Sequence, residues 1–147
     1  MNIEIVIHPN ETLRTLCSEV ETVNKKIKKL CKDMVSTMNN HDGLGLAAPQ
    51  IGETVRIIAF KNQETFSDTI MINPKIISYT KNMGILQEGC LSIPGTLVNV
   101  IRPEEIVIEF TTVKGNRQRG KFGGMNSRII QHEIDHLDGR LIIDYLQ

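Results

Sequence analysis

Apolar residues near the N-terminus recur three or four positions apart, which is the spacing of one face of an α-helix. The stripe consists of Ile27, Leu30, Cys31, Met34, Val35 and Met38, and lysines occupy the opposite face. Asn24 is placed to cap this helix, and turn-forming residues at 39–43 end it. An extended piece at 3–8 and a short helix after Pro9-Asn10 are expected before it. The pattern predicts an amphipathic N-terminal helix packed on a core.

A different period begins at residue 55, where the pattern becomes that of short β-strands. We expect strands at 55–60, 70–77, 97–101, 106–112 and 118–122. Residues 113–116 have the composition of a hairpin turn between the last two. The centre of the chain is therefore predicted to be a run of short strands.

Helical spacing returns after the strand-breaking pair Gly123-Gly124. A helix is expected at 125–137, with Gly139 at its C-terminal cap and a final apolar strand or turn at 141–146. Helices at both ends of a run of strands predict an α+β fold with a single domain over residues 1–147. We expect antiparallel or mixed β-sheets around a buried C-terminal helix, together with the N-terminal helix.

Composition narrows the classes of partner and compartment. Lys+Arg and Asp+Glu are 17 each, so charge gives no case for nucleic acid or an anionic membrane as the main partner. No apolar run approaches the length of a membrane span, and the N-terminus lacks the pattern of a secretion signal. The 3 cysteines are odd in number and widely spaced, which is typical of reduced thiols. We expect a cytoplasmic protein.

The predicted C-terminal helix carries the sequence Gln-His-Glu-Ile-Asp-His at 131–136. His132 and His136 are four residues apart, so both imidazoles lie on one helix face and can reach a single metal ion. Glu133 is placed to move a proton on a metal-bound water. The pattern indicates two ligands of a catalytic metal site and its general acid/base.

A catalytic site of this type needs a third protein ligand. The two zinc-protease patterns fail, because Ile142 replaces the histidine that one requires and no glutamate follows Glu133 for the other. The upstream candidates are His8, His41, Cys17, Cys31, Cys90 and the carboxylates. Cys17 and Cys31 fall on predicted helical segments, where small buried side chains are expected. Cys90 lies in a polar, glycine-containing stretch between strand-like segments and is equally consistent with a ligand and with an inert thiol.

A third unusual segment, Gly-Leu-Gly-Leu-Ala-Ala-Pro-Gln at 43–50, is rich in small residues that allow close backbone approach. It is not a phosphate-binding loop, because the Lys-Ser/Thr pair of that motif is absent. Gln50 is a neutral hydrogen-bond donor of the kind that stabilises an oxyanion.

Together the three segments resemble the peptide deformylase family. The family signatures appear in order as G-φ-G-φ-A-A-x-Q at 43–50, E-G-C-L-S at 88–92 and Q-H-E-x-D-H at 131–136. Flanking features agree as well: Pro9, Leu13-Arg14, Ile93-Pro94-Gly95 and Leu137-Asp138-Gly139.

The resemblance implies a set of roles for the site residues. Cys90, His132 and His136 would bind one divalent metal ion, Fe(II) natively, with zinc, nickel or cobalt in the isolated protein. Metal-bound water would attack the formyl group with Glu133 as general acid/base. Gln50 and the backbone N–H of Leu91 would stabilise the charge on the formyl oxygen. The implied reaction removes the N-formyl group from formyl-methionyl nascent polypeptides and releases formate.

Substrate contacts and outer partners of the metal ligands can also be named. The expected substrate-binding residues are Leu44, Gly45, Leu86, Gly89, Met125 and Ile129. Asp135 is a candidate to orient a ligand imidazole, and Glu88 is expected to pair with Arg102. Asn126 departs from the apolar residue usual in the family.

The resemblance also implies a monomer that acts on its peptide substrate at the ribosome, without a membrane or direct nucleic-acid partner. Two other functions fit the residues: a metal-dependent amidase or peptidase for a different acyl group, and a non-catalytic binding module with the same fold.

Overall fold

The secondary structure has two α-helices and seven strands in residues 3–146, the part of the chain that this computed structural model describes. The helices are α1 (Lys25–Asn40) and α2 (Gly124–Leu137). The strands are β1 (Gly45–Ala47), β2 (Ile57–Lys61), β3 (Asp68–Tyr79), β4 (Met83–Cys90), β5 (Ile93–Pro103), β6 (Glu105–Thr111) and β7 (Arg117–Gly123). Short 3₁₀ helices cover Glu11–Arg14, Ala48–Ile51 and Ile142–Tyr145. The α+β prediction is confirmed.

The strands form two separate antiparallel sheets. Five of them pair in the order β1-β2-β3-β6-β7, and β4 and β5 form a long two-stranded hairpin of their own. Cys90 pairs with Ile93 at the tip of this hairpin, so Leu91 and Ser92 make the turn. The hairpin therefore presents Cys90 at its end, where Gln50 Nε2 lies 3.8 Å from the thiol sulfur.

Helices α1 and α2 cover opposite faces of the five-stranded sheet. Strand β2 shows this by alternation: Ile57 and Ala59 face the cluster around α1, whereas Ile58 and Phe60 face the cluster around α2. Both pairs are fully buried. Burial on two sides explains why β2 is a continuous apolar run rather than an alternating one.

Helix α2 is also covered by the hairpin. The Gln131 side chain donates to the carbonyl of Pro103 at 2.9 Å, and its neighbours Ser127 and Ile130 are fully buried. A third apolar cluster joins β5 to the 3₁₀ helix at Ile142–Tyr145. The metal-binding motif thus lies on a helix between a sheet and a hairpin, which agrees with the expected buried C-terminal helix.

The N-terminal residues connect two of the signature segments. The segment at 3–8, expected to be extended, makes two backbone hydrogen bonds to them. Val6 N donates to Gln50 O at 2.7 Å, and His8 N donates to Ser92 O at 2.9 Å. Asn24 caps α1 as predicted, accepting from Ile27 N at 3.0 Å.

Three local predictions need correction. Residues 83–90 form strand β4, although the sequence predicted no strand there and placed Cys90 between strands. Most of β4 is exposed, so its apolar residues do not follow the two-residue period that marks a half-buried strand. Gly45–Ala47 is a short strand rather than a loop. Cys17 lies outside the helices in extended chain, where its N–H donates to Leu137 O at 2.9 Å, although it is buried as expected.

No helix within residues 3–146 has the length and apolar character needed to cross a membrane.

Gly139 should be essential to how α2 ends. Its φ is +75°, and an added Cβ would lie 2.8 Å from Arg14 O. We expect Gly139→Ala to lose about 1–2 kcal/mol from the left-handed conformation and about 1–3 kcal/mol more from the backbone contact. Gly115→Ala is the control, because Gly115 has φ +89° with open space around it. Urea unfolding measures both; equal losses would show that the Arg14 contact relaxes freely.

Candidate metal centre and active site

Helix α2 and the tip of the hairpin bring three metal-binding side chains together. Ligand atoms of Cys90, His132 and His136 all lie within 4.8 Å of one another. Cys90 Sγ is 3.3 Å from His136 Nε2, and the two imidazole rings are 5.3 Å apart between centroids. The residues that the sequence separated by more than forty positions therefore meet in one cluster, called here the metal site.

His132 is oriented by Glu88. Its Nδ1 lies 2.9 Å from Glu88 Oε1, which leaves Nε2 directed toward the metal site. The expected pair between Glu88 and Arg102 is present as a fork, with Nε and Nη2 of the arginine donating at 2.7 and 2.9 Å. Desolvation alone would raise the pKa of Glu88, but these hydrogen bonds outweigh it and hold the pKa at about 2.

Asp135 takes a different part from the one expected. Its Oδ2 accepts from Arg102 Nη1 at 2.9 Å and from the Tyr145 hydroxyl at 2.7 Å, rather than from a ligand imidazole. Asp135 therefore holds the arginine that holds Glu88, one step further from the metal site. Tyr145 extends this network to the 3₁₀ helix at Ile142–Tyr145.

Burial and charge push the ionisable groups of the site in different directions. Burial lowers the pKa of His136 to about 3 and raises that of Glu133 to about 7. Burial also opposes protonation of His132, but Glu133, Cys90 and Glu88 surround it and raise its pKa to about 10. The surplus of negative groups around His132 is what a bound cation would neutralise.

Gln50 is fixed with its amide nitrogen toward the metal site. Its Oε1 accepts from Ala47 N at 2.9 Å, and its Nε2 donates to Ser92 Oγ at 3.1 Å. The same nitrogen lies 3.8 Å from Cys90 Sγ. The amide oxygen and one N–H are thus held by Ala47 and Ser92, and the second N–H is directed at Cys90 Sγ in the metal site.

A cleft of about 380 Å³ opens beside the metal site. All six expected substrate-binding residues line it, together with Gln50, Leu91 and Glu133. Leu44, Leu86 and Met125 are each more than 40% exposed and lie together on this cleft, as apolar residues of a binding site do. Ile129 is buried at the base of the cleft. The cleft has the size and apolar lining typical of a small-molecule or peptide site.

Comparison with known proteins decides the family. The polypeptide deformylase family model matches residues 3–147 of the chain. The chain belongs to the peptide deformylase family. Peptide deformylases are metallohydrolases that remove the formyl group from nascent peptides, and the chain is therefore an enzyme of this class.

Known deformylases align with nearly the whole of this chain. The chain is 38% identical to the peptide deformylase of Chlorobium phaeobacteroides, in an alignment that spans 100% of this chain and 80% of the relative. Identity to the Dictyoglomus thermophilum enzyme is 42%, over 90% of this chain and 84% of that one. The Ehrlichia chaffeensis deformylase, solved in complex with actinonin, superimposes with a TM-score of 0.95 at 37% identity, covering 100% of this chain and 90% of that one.

Two site residues were missed by the sequence interpretation. Ser92 was recognised only as part of a signature, and its contact with Gln50 needs the hairpin turn to be known. Arg128 donates to Glu88 Oε2 at 2.7 Å; its place four residues before His132, on the same helix face, was an available signal. The unusual Asn126 does not line the cleft: it accepts from Gln63 N at 2.7 Å and anchors the loop after β2.

The three cysteines should differ in reactivity in the metal-free deformylase. Burial raises the pKa of Cys17 and of Cys31 to about 11, so near pH 8 only about one in a thousand of these thiols is ionised. Cys90 is half-buried beside the cleft. We expect one fast thiol in a titration with a chromogenic disulfide, lost in Cys90→Ser and protected by added zinc. A fast thiol that persists in Cys90→Ser would contradict this assignment.

Gly45 should be needed to place Glu133. A Cβ at this position would lie 2.6 Å from Glu133 Oε2 and 2.9 Å from Ile129 Cγ2. We expect Gly45→Ala to displace the carboxylate and to lower kcat about 100-fold, the usual cost of moving a reacting group by about 1 Å. Gly123→Ala is the control, since its nearest neighbour would be an ordinary 3.4 Å away. Steady-state kinetics on both variants, with far-UV circular dichroism for folding, make the comparison.

Proposed function

We propose that this chain hydrolyses the N-formyl group of formyl-methionyl peptides at the metal site, with Glu133 as general acid/base. The observation that carries the proposal is the position of Glu133 in the cleft. Its side chain is almost fully buried and its Oε2 is 4.0 Å from His132 Nε2. Its Oε1 has no hydrogen-bond partner among the residues that the structure describes.

The donor set fits a divalent metal ion. One thiolate and two imidazoles are the three protein ligands of a catalytic site that keeps a further position open. We expect Fe(II) natively, with zinc, nickel or cobalt as replacements in the isolated protein. When bound, the ion would act as a Lewis acid and lower the pKa of water from 15.7 toward about 7.

Glu133 is suited to move the proton in both directions. A pKa of about 7 means that the carboxylate can accept a proton from the attacking water and return it to the leaving amine near neutral pH. Burial, the main cause of this shift, also keeps bulk water from competing for the proton.

Gln50 and Leu91 would receive the charge that develops on the formyl oxygen. One N–H of Gln50 is directed at Cys90 Sγ in the metal site, and Leu91 is adjacent to Cys90 in the hairpin turn. Hydrogen-bond donors fixed before the reaction stabilise an oxyanion without reorganisation. Ser92 and Ala47 do the fixing here, since they occupy the other polar positions of the Gln50 amide.

The methionine side chain of the substrate would enter the apolar cleft. Leu44, Leu86 and Met125 lie around the opening, and Ile129 forms part of the base. Gly45 and Gly89 also line the cleft, along which the peptide backbone of the substrate would lie. These positions support a substrate that carries an unbranched apolar side chain next to the formyl group.

We extend the proposal to the cellular setting. We expect the enzyme to be a monomer, as the family resemblance implies. Lys+Arg and Asp+Glu balance at 17 each, which agrees with a peptide rather than a nucleic-acid partner. We expect it to act in the cytoplasm on nascent chains at the ribosome.

The reaction is tested by anaerobic assay of the Fe(II)-loaded protein on formyl-Met-Ala and acetyl-Met-Ala, with formate detection and metal analysis. We expect formate from the first substrate and no release of acetate from the second. Equal hydrolysis of both would indicate a broader amidase, and no turnover by metal-loaded protein would indicate a binding module.

The oxyanion role predicts a large effect at Gln50. Losing one such donor costs about 2.7–4 kcal/mol, so Gln50→Ala should lower kcat/KM by roughly two to three orders of magnitude. Ser92→Ala should lower it less, because the amide stays but loses an anchor. The exposed Gln118→Ala is the matched control. Unchanged kcat/KM in Gln50→Ala would remove Gln50 from the mechanism.

A further inference from the structure

We propose that Arg128 is a positioning residue for the metal site, which it supports by fastening the hairpin that carries Cys90 to the helix that carries His132. The inference rests on the proposed function of the same site. It concerns a side chain outside the three signature segments and makes Arg128 a determinant of how firmly the metal is held.

Arg128 is the side chain of α2 that contacts both strands of the hairpin through hydrogen bonds. Its Nη2 donates to Gly84 O on β4 at 2.8 Å, and its Nη1 donates to Val100 O on β5 at 3.0 Å. The same Nη1 donates to Glu88 Oε2 at 2.7 Å. Only 12% of the side chain is exposed. A planar guanidinium can serve three acceptors at once in this way, whereas an ammonium has no fixed fork.

The acceptors of Arg128 lead directly to the metal ligands. Glu88 is two residues before Cys90 on β4, and its other oxygen holds His132 at 2.9 Å. His132 follows Arg128 by one helical turn. Arg128 thus fixes the spacing between α2 and the hairpin at a point close to both His132 and Cys90.

Arg128 also completes a charge balance. Two arginines, Arg102 and Arg128, face two carboxylates, Glu88 and Asp135, in one buried network. Loss of either arginine leaves a buried negative charge without its counterpart, which is costly in an environment of low polarity. Arg102 lies on the hairpin itself and reaches α2 only through Asp135, so it does not replace the direct contacts of Arg128.

The consequence is a change in metal retention rather than in general stability alone. Without Arg128, Glu88 keeps its bonds to Arg102 and His132 but loses one of its two contacts with α2, and β4 and β5 each lose a backbone contact with that helix. The distance from Cys90 to the two imidazoles is then less well fixed. Groups that support metal ligands typically change metal affinity by about 10–100-fold when removed.

The test measures metal release. Zinc-loaded wild-type protein, Arg128→Met and Arg128→Lys are mixed with excess chelating dye, and the rate of zinc transfer is followed. Methionine keeps the stem that lines the cleft, and lysine keeps the charge but not the fork. Arg119→Met is the matched control, because Arg119 is 63% exposed and paired only with Glu109 on the sheet surface. We expect release to be at least about tenfold faster in Arg128→Met, intermediate in Arg128→Lys and unchanged in the control.

A double-mutant cycle with Glu88→Gln separates positioning from simple stabilisation. If Arg128 acts through Glu88, Arg128→Met should accelerate release much less in the Glu88→Gln background. Release within twofold of wild type in both Arg128 variants, with only a lower Tm of the metal-free protein, would overturn the proposal. Should Arg128→Met fail to fold, Arg128→Lys alone decides by the same criterion.

This measurement is independent of the proposed reaction. Zinc release needs no substrate, so unchanged release contradicts the role of Arg128 and leaves deformylation untouched. Conversely, metal-loaded protein without turnover contradicts the proposed reaction and leaves the release comparison valid.

Discussion

A buried carboxylate is stable only where hydrogen bonds and opposite charges replace the water that it has lost. Glu88 meets this condition between α2 and the β4–β5 hairpin, where its two oxygens lie 2.7–2.9 Å from nitrogens of Arg102, Arg128 and His132. Moving the hairpin away from the helix would leave this charge buried without its partners. The position of Cys90 relative to the two histidines therefore depends on Glu88.

Burial between the sheet and the hairpin shifts the pKa values of His136 and Glu133 in opposite directions. It keeps His136 neutral, because the pKa falls to about 3, and a neutral imidazole is the form that binds metal. It raises the pKa of Glu133 to about 7, where a carboxyl group exchanges protons readily. One physical cause, the covering of α2 by a sheet and a hairpin, thus suits His136 to bind a metal ion and Glu133 to the proposed acid/base role.

Sequence periodicity predicted the elements that bury one face, because their apolar residues then recur at a fixed spacing. The amphipathic α1 and the motif helix α2 appeared within a few residues of their observed bounds. Strand β4 was not predicted, because most of it is exposed and its apolar residues follow no period. Arg128 and Ser92 went unrecognised for a related reason: their partners lie far away in sequence, and no local pattern reports a contact across forty or so positions. Asp135 was a candidate to orient an imidazole because metal-bound histidines usually donate their second N–H, whereas its carboxylate instead accepts from Arg102 and Tyr145.

The division of the metal ligands between two elements has a consequence for stability. His132 and His136 are brought onto one face by the helix itself, so their spacing needs only local structure. Cys90 reaches them only when the hairpin is docked on α2, which requires the tertiary fold. Binding energy gained from the third ligand is therefore available only to the folded chain, and the metal stabilises the docked hairpin over the undocked one by mass action. Because the cleft is lined by residues of both the hairpin and the helix, an ion bound at the metal site would also hold the two walls of the cleft together.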